Sequence, residues 1–99
     1  MKDFPPEFSD NEQEHHFEWT TPSGTAFIDY KKTSRQLMLI HTEVPETMQG
    51  QGIAPKLVTA ALTFAEENGL KVIPLCVYVL AFLKKHPEWN RVLAHEPKG

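Results

Sequence analysis

The residues Gln49-Gly50-Gln51-Gly52-Ile53-Ala54 have the composition of a loop that receives a phosphate. Directly behind the glycines, Ile53, Leu57, Val58, Ala61, Leu62 and Ala65 recur at helical spacing, so the loop opens a helix. A helix start presents free N–H groups and a positive dipole end, which suits a phosphate or pyrophosphate. Glycine lets the backbone turn sharply and approach the anion closely. A Gly-x-Gly pair can also be no more than a tight turn, and that reading stands beside the first. Other phosphate motifs fit poorly. The dinucleotide pattern would need glycine where Pro55 stands, and the Walker pattern Gly-Lys-Ser/Thr is absent.

Three further side chains could do chemistry. His41 and Glu43 close an apolar run, and either could take a proton, histidine being the better suited near neutral pH. The alternative is a pair of half-exposed strand-end polar residues. Cys76, the single cysteine, is either a nucleophile or a small buried hydrophobe. His41, Cys76 and His86 match no common zinc spacing, so no metal site is expected.

The elements that must hold these residues can be read from periodicity. His15 to Thr20, Thr25 to Lys31 and Gln36 to Val44 read as strands, linked by the turn cluster Thr21 to Gly24 and by Lys32 to Ser34. Short links make them an antiparallel meander. The run from Leu37 to Ile40 suggests burial on both faces. The helix after the loop ends at Gly69, where a C′ glycine belongs. Leu70 to Cys76 reads as another strand, and Val77 to Lys85 as a second helix ending before His86-Pro87. Strand, loop, helix, strand is a βαβ unit with parallel strands and a right-handed crossover. Ligands of such units sit at the carboxyl ends of the strands, here at His41 to Val44 and at Leu75-Cys76. Pro74 cannot donate a ladder bond, so its strand is an edge strand or splays from its neighbour there. A splayed pair exposes backbone groups that an extended ligand could fill by strand-like pairing.

Residues 1–13 read as a flexible lead-in, 14–93 as one domain and 94–99 as a tail. The 99 residues suffice for one modest core. A net charge of -3 gives no general attraction for nucleic acid or anionic membrane. No apolar run approaches the ~20 residues of a membrane span. The amino terminus lacks the basic and apolar regions of a signal peptide. A lone cysteine gives no internal disulfide. A cytoplasmic location is the expectation.

The motif Gln49-x-x-Gly52-x-Ala54, after a strand and opening a helix, is similar to the acetyl-CoA signature of the GNAT acetyltransferase superfamily. The likeness extends through His41-Thr42-Glu43-Val44-Pro45, Leu57-Val58, Gly69-Leu70-Lys71-Val72-Ile73-Pro74, Cys76-x-Tyr78-Val79 and His86-Pro87-Glu88. Together these resemble the small single-domain GNAT-like group of bacteria and plants, from about Phe17 to Trp89. The resemblance implies a GNAT-like α/β fold and transfer of an acetyl group from acetyl-CoA to an amine acceptor. Amides of Gln49, Gly50, Gln51, Gly52, Ile53 and Ala54 would hold the pyrophosphate. The backbone of His41, Thr42, Glu43 and Val44 would pair with the pantetheine arm. Cys76 would lie near the thioester, to accept the acetyl group or to touch the cofactor sulfur. Tyr78 would match the tyrosine that protonates the departing thiolate in related enzymes, or it is a core aromatic. The chain is too short for the amino-terminal helices that wall the acceptor site in full-length GNAT domains. That leaves an open acceptor site, one completed by a second subunit, or a large acceptor. A monomer or weak homodimer is expected. The rival reading is a non-catalytic CoA-binding or interaction module of the same shape.

Overall fold

Five strands pair in sequence order to form one sheet. In the computed structural model, which describes residues 4–95, β1 (Phe8–Asn11), β2 (His16–Thr21), β3 (Gly24–Lys32) and β4 (Gln36–Glu43) form an antiparallel meander. A short 3₁₀ turn (Glu46–Met48) and the glycine loop lead into α1 (Ile53–Glu67), which crosses to β5 (Lys71–Pro74), parallel to β4. Helix α2 (Val77–Lys85) and a 3₁₀ segment (Pro87–Val92) complete the order. This is the expected α/β architecture of a meander running into a parallel βαβ unit.

The core lies between the sheet and α1. Inward residues alternate along the strands (Phe17 and Trp19, Ala26, Ile28 and Tyr30, Leu37 and Leu39) and meet Leu57, Val58, Ala61, Leu62 and Ala65, nearly all fully buried. Helix α1 stops in a Schellman arrangement. Leu70 N–H donates to Ala65 O at 2.8 Å and Gly69 N–H to Glu66 O at 3.3 Å, with Gly69 at φ 66°. Helix α2 ends at Lys85, where His86 (φ -132°) precedes Pro87 as expected.

Four expectations change. The lead-in is not structureless throughout, because Phe8–Asn11 forms an edge strand. Phe8 is 5% exposed and stacks on Phe17 with ring centroids 5.7 Å apart, an anchor that polar neighbours mask in the sequence. Residues 1–3 and 96–99 lie outside the described residues. The Leu37–Ile40 run is not buried on both faces. Met38 is half-buried and Ile40 exposed, because the helices cover one face only. The last strand is shorter than expected, Lys71–Pro74 rather than Leu70 to Cys76. The tail expected from residue 94 is also tied in at its start. Leu93 bridges Val72, Ala94 N–H donates to Val72 O at 2.8 Å, and Arg91 pairs with Glu66 at 2.6 Å.

One polar contact spans three strands. Tyr30 OH donates to Asp10, tying β3 to β1 over β2, while its ring stacks on Phe17 at 4.3 Å. Burial first, and then Asp10, hold the phenol protonated beyond its usual range. A raised folded pKa means that the contribution is fully present below about pH 10, the unfolded value, and is lost as pH rises toward the folded one. Tyr30→Phe should therefore cost about 1 kcal/mol at neutral pH and lessen the alkaline loss of stability. Urea unfolding at neutral pH and above pH 10 checks this; an undiminished alkaline decline in the variant would assign it to another group.

Candidate functional site

The site begins where β5 leaves β4. The two strands pair from Gln36↔Lys71 to Leu39↔Pro74, and a last bond runs from Leu75 N–H to Leu39 O at 2.8 Å. Strand β4 continues to Glu43, still paired with β3 through Phe27↔Glu43. Residues 40–43 thus have a strand on one side only. Pro74 does not break this pairing: Lys71 and Leu75 donate toward β4, so the donor that Pro74 lacks would face the outer side of this edge strand, and the ladder ends after Leu75, where the chain turns into α2. The register also shifts within β4, from Tyr30↔Leu39 to Asp29↔His41, which leaves Ile40 as the extra residue of a bulge. Bulges re-aim side chains. Here the bulge restores Thr42 to the inward face opposite Ile28 and sets His41 and Glu43 outward.

Cys76 caps the start of α2 in an extended conformation (φ -87°, ψ 131°), and its carbonyl accepts the first helical bond, from Leu80 N–H at 3.0 Å. Its Sγ lies 3.3 Å from Thr42 Oγ1, so the thiol faces the unpaired stretch of β4 across the gap. Cys76 is buried, while its neighbours Leu75 and Val77 are 56% and 82% exposed, an apolar rim around the thiol. Tyr78 is partly exposed one residue on, and burial raises its phenol pKa. Outward on β4, His41 Nε2 and Glu43 Oε1 are 2.9 Å apart, and both side chains are exposed. His86 pairs with Glu88 at 3.4 Å, so the structure does not bring it to His41 and Cys76.

At the other end of the gap the glycine loop forms a hollow of about 260 Å³, lined by Val44, Met48, Gln49, Gly50, Gly52, Ile53, Ala54 and Pro55. Gly50 (φ 81°) and Gly52 (φ 69°) take left-handed backbone conformations, and Gly52 is the cap residue of α1. No side chain caps that helix and no acidic residue lies in its first turn. The N–H groups of Ile53 and Ala54 have no intrahelical acceptor, and Pro55 has none to offer. A Cβ on Gly50 or Gly52 would meet nothing within 4 Å. Packing does not demand glycine there; the backbone turn does, and it leaves room for an anion against the amides. The loop is braced from below. Met48 is fully buried, Thr47 Oγ1 donates to Ser23 O at 2.7 Å, and Gln49 Nε2 donates to Val44 O at 3.3 Å.

Of the six amides expected to face the pyrophosphate, that of Gln49 is bonded to Glu46 O at 3.2 Å. Val44 lies past the end of β4 and lines the hollow instead of extending the strand. Sequence reading missed the bulge at Ile40, the rim residue Val77, and Lys56, a cation in the first turn of α1. A lysine three residues past Ile53 was the visible signal for the last; a bulge leaves no such mark.

Comparison with known proteins decides the family. The GCN5-related N-acetyl-transferase family matches residues 16–92. The chain belongs to that family. As an N-acetyltransferase domain it is also similar to curated relatives described as protein NATD1. The Bos taurus protein is 38% identical over 63 residues, 63% of this chain and 56% of that protein. The Mus musculus protein has the same identity with 57% of its length covered. The Danio rerio protein is 41% identical over 59 residues, 58% of this chain and 54% of its own. The chain thus spans a little over half the length of these relatives.

Proposed function

We propose that the chain transfers an acetyl group from acetyl-CoA to an amine acceptor. The observation that carries this reading is the one-sided stretch of β4, residues 40–43, with the glycine hollow beyond one end and Cys76 facing it across the gap. An extended donor fits this layout. Free amides at residues 50–54 would bind its pyrophosphate, and the open edge of β4 would pair with its amide-bearing arm. Leu75 and Val77 would cover its apolar parts. The donor supplies an activated acyl group; the chain supplies position, proton transfer and exclusion of water.

Tyr78, near the start of α2, would give a proton to the departing thiolate; burial raises its phenol pKa and keeps the phenol in the protonated form that this role needs. His41 is suited to taking one from the acceptor. Glu43, as a carboxylate, can only accept, so it engages the N–H of His41 Nε2 and leaves the Nδ1 lone pair available. Tyr78→Phe and His41→Ala should each lower kcat on the order of 100-fold or more while donor affinity changes little. The Tyr78 acid role adds a sign. The rate should fall as pH rises through the raised phenol pKa, and that alkaline limb should vanish in Tyr78→Phe. A pH–rate profile unchanged by the substitution would remove the role.

The first experiment is titration of the protein with acetyl-CoA, followed by backbone amide NMR. Selective shifts at residues 50–54 and 40–44 are expected. No binding at millimolar CoA would sink both transfer and the reading as a CoA-binding module. Binding without turnover on any amine would favour the module.

A further inference from the structure

The sheet face turned away from α1 carries a second, larger hollow. None of the outward residues of β2, β3 and β4 is buried. A groove of about 590 Å³ runs over β3 and β4, lined by Asp29, Lys31, Thr33, Met38 and Ile40, with His15 at its far side. The groove is open to solvent, and its volume has room for a small organic molecule, far more than a single ion needs. Its near end is Ile40, the bulged residue, so the groove opens at the place where β5 leaves β4.

The lining is ordered by charge. Met38 and Ile40 give an apolar floor. Asp29 pairs across the ladder with His41, at the bulge end, and accepts from His16 Nε2 at 2.6 Å while keeping 41% of its side chain exposed. Lys31 pairs with Met38, two residues farther from the bulge along β3, which is about 7 Å. Among the described residues Lys31 makes no ion pair. Lys32 also lines the groove, but its Nζ lies 3.8 Å from Glu12 and over the Phe64 ring. The groove therefore offers, in order, a half-exposed carboxylate near the bulge with one oxygen bonded to His16, a short apolar floor, and then Lys31, which has no ion-pair partner among the described residues.

We propose that this groove is the acceptor half of the site and takes a small primary amine that carries an anionic group at its other end. The amine lies toward Asp29 and His41, and the anion lies on Lys31. The inference rests on the acetyl-transfer reading for its amine end. The order of charges also selects against diamines, whose second cation would sit on Lys31.

Three amines of equal chain length separate the possibilities: 4-aminobutyrate, butylamine and 1,4-diaminobutane. Amide NMR titration at low salt should show 4-aminobutyrate shifting Asp29, Lys31, Met38 and Ile40, and binding about fivefold tighter than butylamine, with the diamine weakest. Lys31→Ala should erase the advantage of the carboxylate, and Lys31→Glu should pass the preference to the diamine. Lys31 is exposed, so both variants should fold. In an assay of CoA thiol release the same ranking should appear in KM, with kcat nearly unchanged in Lys31→Ala. Equal binding of the three amines, shifts confined to other surfaces, or a preference indifferent to Lys31 would overturn the proposal. Groove binding in the expected order without acetylation of any amine would uphold the ligand class and overturn the transfer reading instead.

Discussion

Gly52→Ala should weaken acetyl-CoA binding by roughly 10- to 150-fold while leaving the fold intact. Gly52 caps α1 at φ 69° with open space beside it. Alanine there meets no neighbour, so the direct cost is backbone strain of about 1–2 kcal/mol. The chain can relieve that strain by leaving the left-handed region, and the amides that follow would then turn away from the ligand. A hydrogen bond to a charged group contributes about 1.5–3 kcal/mol, so misaligning one accounts for the expected loss. Gly69→Ala is the matched control. It places the same strain at φ 66°, also in open space, but at the far end of α1. Both variants should lose similar stability in urea, and only Gly52→Ala should lose affinity by calorimetric titration. Equal affinity in the two would reduce the glycine loop to a turn.

How far the sequence alone reached follows from what kind of signal each feature leaves. Helix α1 and its Schellman stop were legible because a 3.6-residue apolar period and a glycine at its end are local signals. The edge position of β5 was legible because proline lacks a donor, a fact that holds in any surroundings. Strand β1 was not legible, since one buried aromatic, Phe8, among polar residues has no period to reveal it. Burial of the Leu37–Ile40 run was misread because a continuous apolar run says nothing about whether a second layer exists to cover it. The bulge at Ile40 depends on the register between two strands, and register is a pairwise property. That shift moves His41 and Glu43 to one face and Thr42 to the other. The individual candidate residues were therefore visible in the sequence, but not the division that puts the Thr42–Cys76 contact on the core side and the His41–Glu43 pair on the outer face.

That division bears on Cys76, where the second large effect is expected. A thiol that only fills space beside the core would tolerate alanine, at a cost near 1 kcal/mol for the small cavity. Cys76 is placed for more than packing. It is buried, yet its Sγ lies 3.3 Å from the Thr42 hydroxyl at the unpaired edge of β4, so it meets the gap where the acyl end of the donor would lie. The hydroxyl can hold the sulfur in place as it takes the acyl group, while the donor's acyl–sulfur bond breaks and CoA leaves as the thiol, carrying the proton that Cys76 gives up. On this reading Cys76→Ala should lower turnover on the order of 100-fold or more with donor affinity retained. Thr42→Val should give a smaller loss in kcat, because the thiol remains and only its partner is gone. Intact-mass measurement after incubation with acetyl-CoA and no acceptor should find one acetyl group on the wild-type protein and none on Cys76→Ala. Wild-type turnover in Cys76→Ala would leave direct attack by the amine as the route. The acceptor groove on the outer face and the donor gap would then have to present their ligands to each other directly, with Cys76 no more than part of the wall between them.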